Sequence, residues 1–162
     1  MSQLVEAIIT LAKNHVDFVV IGGMAIRSHG SSYVTQDLDV CYSRERENLV
    51  RIAQALAPFE PRPRGIPDDL PFVWDVATLY NGTNFTFDTT LGNIDLLGEV
   101  KGVGTYTDAA DDSISVEISG FGVKILSIDG LIRAKTASNR EKDEAGLKEL
   151  YALQEAIKDV ED

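Results

Sequence analysis

Asp37 and Asp39 flank a single leucine in the stretch TQDLDVCY, and that spacing poses a chemical question. Side chains alternate faces along a strand, so both carboxylates point one way while Leu38 points into the core. With Cα atoms about 7 Å apart, two buried carboxylates repel each other and lack partners, which is costly. A divalent cation removes that cost. Mg²⁺ takes oxygen ligands and commonly only one or two protein carboxylates, leaving water and substrate phosphate to complete its shell. Upstream, Gly22 and Gly23 follow the apolar run FVVI at positions 18–21. Glycines at the start of a helix let backbone N–H groups come close to an anion. A phosphate-binding strand end beside a carboxylate-bearing strand is the layout that metal-assisted phosphoryl or nucleotidyl transfer needs.

The elements that would carry these residues are legible in the hydrophobic pattern. Leu4, Ala7, Ile8 and Leu11 recur at helical spacing and predict a helix over 2–14. Residues 18–21 and 38–42 read as strands, with a short helix between them before Gly30. Leu49, Ile52, Ala53 and Leu56 predict a second amphipathic helix over 45–57. All five prolines fall between Pro58 and Pro71, which marks a loop. Further strands are expected at 72–79, 84–88 and 93–99, and a hairpin at 113–118 and 121–126 turning on Ser119-Gly120. Ser127 can cap a helix that begins near Ile128, has Asp129 in its first turn and runs to Asn139 or beyond, followed by an acidic helical tail. The expected fold is α+β: a mixed, twisted sheet of five to six strands with helices packed on it, as a single domain over residues 1–162.

Composition narrows the partners. A net charge of −11 argues against a general nucleic-acid binder. The charge is uneven: residues 44–64 carry Arg44, Arg46, Arg51, Arg62 and Arg64 against three acids, a strip on which a polyanion could dock. No apolar run approaches the roughly 20 residues needed to span a bilayer, and the N-terminal stretch lacks a basic secretory signal. Cys41 is the only cysteine, which rules out an intramolecular disulfide and points to a cytoplasmic protein.

Ile21-Gly22-Gly23, thirteen residues, and then Asp37-Leu38-Asp39, with Thr35 two before the first aspartate, resemble the signature of the nucleotidyltransferase superfamily. That superfamily shares its palm-like core with DNA polymerase beta, and the stretch also resembles its minimal bacterial and abortive-infection-toxin-like members. Many of these carry an arginine where this chain has Ser31 to Tyr33. The resemblance implies a third catalytic carboxylate on a later strand. Asp95 in GNIDLLGEV, between Ile94 and Leu96, fits that role, either as a metal ligand or as acceptor of the acceptor hydroxyl's proton. Asp88 in FTFDTT is the rival, on a strand that looks nearer the sheet edge. The resemblance also extends to LIRAKTASNREKDEAGL, where Lys135, Arg140 and Asp143 match a basic helix motif. On one continuous helix these three fall within a roughly 140° arc, with Lys135 and Arg140 facing the triphosphate and Asp143 holding them.

The implied function is metal-dependent transfer of an NMP from an NTP to an acceptor hydroxyl on a small molecule, a protein or an RNA end. Mg²⁺ or Mn²⁺ would be held by Asp37, Asp39 and Asp95, with Gly22, Gly23, Arg140 and Asp143 at the nucleotide and Lys135 in catalysis. The alternatives are an inactive binding or regulatory protein of the same fold, and the toxin of a toxin–antitoxin pair with an antitoxin partner. A homodimer is compatible with each. Among the remaining residues, His29 reads as structural or solvated, Cys41 as a buried apolar residue with no base to activate it, and Trp74 and Tyr80 as core packing before base stacking.

Overall fold

The computed structural model describes residues 2–161. Helix α1 (Gln3–Lys13) begins where Ser2 Oγ accepts a hydrogen bond from Val5 N–H at 3.2 Å, and it buries Leu4, Ala7, Ile8 and Leu11. Strand β1 (Phe18–Ile21) is buried throughout and runs directly into helix α2 (Gly22–Ser28). Strand β2 (Asp37–Tyr42) and helix α3 (Arg46–Leu56) follow, then the two-residue strand β3 (Arg62–Pro63) and the short helix α4 (Val76–Tyr80). Strands β4 (Asn84–Thr89) and β5 (Gly92–Leu97) form a hairpin. A small separate ladder of β6 (Glu99–Val100) and β7 (Gly104–Thr105) leads into helix α5 (Tyr106–Asp111). Strands β8 (Ser113–Ile118) and β9 (Phe121–Leu126), then helices α6 (Ile128–Ser138) and α7 (Glu144–Glu161), complete the chain.

Seven strands make one mixed sheet in the order β3-β4-β5-β2-β1-β9-β8. The pairs β2–β5 and β1–β9 are parallel and the others antiparallel. This is the expected α+β architecture with one more strand than predicted, because β3 inserts two residues of the proline-rich segment at the sheet edge. The period-two alternation sends Leu38, Val40, Ile94, Leu96 and Phe87 into the core.

Three expectations are corrected. Residues 72–79 form no strand. Asp75 accepts a hydrogen bond from Thr78 N–H at 3.0 Å and starts α4, while the Trp74 indole donates to Ala53 O at 2.8 Å and packs edge-on against Phe87. The apolar density there serves packing on α3, not a ladder. The helix over 128–139 does not continue into the tail: Asn139 takes a left-handed conformation (φ 48°) and its N–H bonds Lys135 O, which ends α6, and a 3₁₀ turn over Glu141–Asp143 intervenes before α7. Helix α5 lies in a stretch for which no element was expected; Thr105 and Asp108 form its reciprocal capping box. The hairpin of β8 and β9 turns on Ser119-Gly120, both with positive φ. Among the described residues no helix is long and apolar enough to cross a membrane.

Candidate active site

The parallel pairing of β2 with β5 sets Asp39 opposite Asp95 and Asp37 opposite Asn93, so the three aspartates share one face of the sheet. Asp39 Oδ1 is buried and has no hydrogen-bond donor. Burial, with the negative charges of Asp95 and Asp37 beside it, pushes the Asp39 carboxyl up to about 7, and Lys135 offsets only part of that. A cation or a proton would satisfy this oxygen.

Gly22 and Gly23 form the first turn of α2 instead of a loop ahead of it. Gly22 has φ +65°, and a Cβ there would overlap Asp39 Oδ2. A Cβ on Gly23 would come within 2.5 Å of the Thr35 side chain, whose hydroxyl donates to Asp37 O at 3.2 Å. The spacing between the glycine pair and the aspartates therefore reflects direct packing: α2 can lie against the carboxylates only because these two residues lack side chains.

Two further residues complete the carboxylate group. Asn93 Nδ2 donates to Asp37 Oδ1 at 3.2 Å. Arg64 bridges two acids, donating from Nη2 to Asp95 Oδ1 at 2.9 Å and from Nε to Asp88 Oδ1 at 3.2 Å. Among the described residues no three His, Cys, Asp or Glu side chains converge as a metal-holding cluster. The donor set nonetheless fits a hard dication. It offers carboxylate oxygens alone, one of them buried without a partner, and Mg²⁺ needs only one or two protein carboxylates.

Across a cleft of about 300 Å³ from Asp39 and Gly22 stands a cationic cluster on α6 and the turn that follows it. Asp143, only 2% exposed, accepts from Lys135 Nζ at 3.3 Å and from Arg140 Nε at 3.0 Å. Burial alone would raise the Asp143 carboxyl, but hydrogen bonds from Arg140 and Ser138 and the Lys135 charge outweigh it and hold it at about 2. Lys135, Arg140 and Asp143 thus meet as the motif implied, but not on one helix face: Lys135 is on α6, while Arg140 and Asp143 lie beyond its left-handed end at Asn139.

No family model matches the chain, and neither does any curated protein. Solved structures do. The chain is similar to the solution structure of the antibiotic-resistance factor ANT(2'')-Ia, with a TM-score of 0.55 and 13% identity over 96% of this chain and 90% of that one. It is likewise similar to the crystal structure of ANT(2'')-Ia in complex with adenylyl-2''-tobramycin, with a TM-score of 0.55 and 16% identity over 91% of this chain and 82% of that one. A third likeness is to an antigenic nucleotidyltransferase-like protein from Paracoccidioides brasiliensis, with a TM-score of 0.54 and 16% identity over 93% of this chain and 75% of that one. The chain has the nucleotidyltransferase fold.

Within this nucleotidyltransferase fold, several sequence expectations resolve into structural roles. His29 caps the end of α2, and its ring is hydrogen-bonded to Leu126 O at 2.8 Å. Cys41 is fully buried, and burial together with Asp108 pushes its thiol up to about 12, which suits core packing and not nucleophilic attack. Tyr80 is exposed rather than in the core. Four arginines of the basic strip have partners within the chain, and Arg46 is exposed. Arg44 bonds Tyr42 and the carbonyls of Leu79 and Tyr80, Arg51 pairs with Glu47, Arg62 holds the carbonyls of Pro67 and Leu70, and Arg64 faces the aspartates.

Sequence reasoning missed Arg64, Asn93 and Gly146. Asn93 was accessible, since it stands two residues before Asp95 as Asp37 stands before Asp39. Arg64 was not, because only the edge pairing of β3 with β4 brings it to a residue 31 positions later. Gly146 leaves the room that the Lys135 side chain occupies against α7.

Proposed function

We propose that this chain is a metal-dependent nucleotidyltransferase, moving a nucleoside monophosphate from an NTP to an acceptor hydroxyl. One observation carries the reading: Asp39 keeps a buried carboxylate oxygen without a donor, in register with Asp95, next to Asp37, and pressed against Gly22. A buried charge without a partner is expensive, and few ligands other than a cation suit it. Mg²⁺ or Mn²⁺ held by Asp37 and Asp39, with Asp95 beside them, would neutralise triphosphate charge and orient the α-phosphorus for in-line displacement.

The chain's own residues supply the rest. Gly22 and Gly23 offer N–H groups of the first turn of α2 to the β- and γ-phosphates. Lys135 and Arg140 oppose the growing negative charge from across the cleft, and Asp143 fixes their positions. Asp95 serves as a ligand or accepts the hydroxyl proton while the new O–P bond forms and the bond to the pyrophosphate oxygen breaks. ANT(2'')-Ia was captured with adenylyl-2''-tobramycin, and this chain covers 82% of that protein. A small molecule is therefore one acceptor to test beside a protein and an RNA end.

Calorimetric titration with Mg²⁺ and a nonhydrolysable NTP tests the proposal. Binding that requires both components and is lost in Asp37→Ala/Asp39→Ala is the expected result. Absence of binding, or binding indifferent to the double substitution, would sink the reading.

A further inference from the structure

We propose that Arg64 is an exchangeable counter-cation for Asp95: it holds this carboxylate until a divalent cation binds the aspartates, and then keeps Asp88 alone. The inference rests on the metal-dependent reading above and adds to it a residue that competes for the site.

Arg64 is placed for this by the sheet edge. Its backbone N–H donates to Thr86 O at 2.9 Å, which ties the residue to β4. Its side chain then crosses β4 towards β5. Thr86 pairs with Asp95 and Asp88 with Asn93, so Asp88 and Asp95 lie on the same face and one guanidinium reaches both. The two acids differ in depth: the Asp88 side chain is 53% exposed and that of Asp95 21%. The arginine therefore has an inner partner, within the carboxylate group, and an outer one nearer solvent.

That arrangement makes the inner bond easy to give up. Releasing Nη2 from Asp95 leaves Nε on Asp88, so the guanidinium is not stranded. At 33% exposure it can also rehydrate, and ion pairs of this exposure contribute little. While the inner bond stands, one Asp95 oxygen is occupied by the guanidinium although the carboxylate lies beside Asp39. The consequence is a dication affinity lower than three free aspartates would give, so that tight binding waits for the ligands a triphosphate adds.

The test is Mn²⁺ binding by the full-length protein without nucleotide, read by electron paramagnetic resonance or calorimetry, with thermal melts confirming that each variant folds. Arg64→Gln should lower the Kd for Mn²⁺ about two- to fivefold, the range expected from removing one competing ion pair. Arg62→Gln is the background control: its guanidinium holds only the carbonyls of Pro67 and Leu70, and it should leave the Kd unchanged. Asp88→Asn removes the outer partner and should weaken Mn²⁺ binding more in the wild-type background than in Arg64→Gln, a coupling that through-space charge alone does not give. An unchanged or raised Kd in Arg64→Gln, an equal gain in Arg62→Gln, or additive effects of the two substitutions would overturn the inference while leaving the proposed function standing. If neither wild type nor Arg64→Gln binds Mn²⁺ without nucleotide, the inference is overturned, while the metal-dependent reading stands or falls on the titration with Mg²⁺ and nucleotide together.

Discussion

Gly22 is packed against Asp39 so closely that a Cβ on residue 22 would overlap Asp39 Oδ2. The same residue has φ +65°, a conformation that costs an ordinary L-residue about 1–2 kcal/mol. Gly22→Ala should therefore destabilise the protein by about 2–5 kcal/mol, the sum of that strain of about 1–2 and a typical overpacking cost of about 1–3 kcal/mol. It should also weaken Mg²⁺-dependent nucleotide binding in whatever fraction remains folded. Urea denaturation and calorimetry check the two effects separately. Gly23→Ala has no such backbone strain, but its Cβ would lie 2.5 Å from the Thr35 Cβ, so adding Thr35→Gly should recover stability at position 23 where Thr35→Ala, which keeps that Cβ, should not.

Asp39 gives the metal-free protein a pH dependence of unusual sign. Its carboxyl rises from 3.8 to about 7, burial being the main cause. A raised carboxylate favours the folded state when protonated, so its contribution is full below about pH 4 and is lost as pH climbs through 7. At about 1.4 kcal/mol per unit, the loss is at most about 4 kcal/mol. Thermal melts without metal should show Tm falling between pH 4 and 7, a flatter profile in Asp39→Asn, and partial recovery on adding Mg²⁺ above pH 7.

Asp143 has the opposite sign. Held at about 2, it stabilises the fold above its unfolded value of 3.8 and loses that contribution as pH falls through 2. Asp143→Asn keeps the shape but removes the charge that Lys135 and Arg140 share. A stability loss of about 1–3 kcal/mol is expected at neutral pH. The KM for nucleotide should rise more than kcat falls, because the cations remain but lose their fixed position. Steady-state kinetics alongside a denaturation curve check this.

Asn48 tests the fold independently of the chemistry. It is 1% exposed and ties the start of α3 to the entry of β1, accepting from Asp17 N–H at 2.7 Å and donating to Asp17 O at 3.1 Å and Ser43 O at 2.8 Å. Asn48→Ala leaves buried backbone groups without partners and should cost about 2–3 kcal/mol. Below its melting temperature, the variant should bind nucleotide as the wild type does.

The sequence carried the centre of this protein better than its periphery. The strands bearing Asp37, Asp39 and Asp95 follow from period-two alternation around Leu38, Ile94 and Leu96, which local pattern alone can report. Asp95 could be set beside Asp39 once a family signature ordered the strands. The reach of Arg64 depends on a two-residue edge strand that no periodicity announces. Around Trp74, aromatic residues that read as a strand were spent on packing against Phe87 and α3. The break after α6 depends on Asn139 entering a left-handed conformation, which asparagine tolerates but its neighbours do not announce.

The placement of Lys135 against Gly146 has a consequence in time. During translation Asp37, Asp39 and Asp95 are all in the chain before residue 100, whereas Asp143 and Gly146 are added more than 40 residues later. A nascent chain of 130 residues would carry Asp37, Asp39 and Asp95 and neither Lys135 nor Arg140. The acidic half of the cleft is thus synthesised well ahead of the basic half, and a ribosome-bound intermediate would hold a dication without the cations that receive a triphosphate.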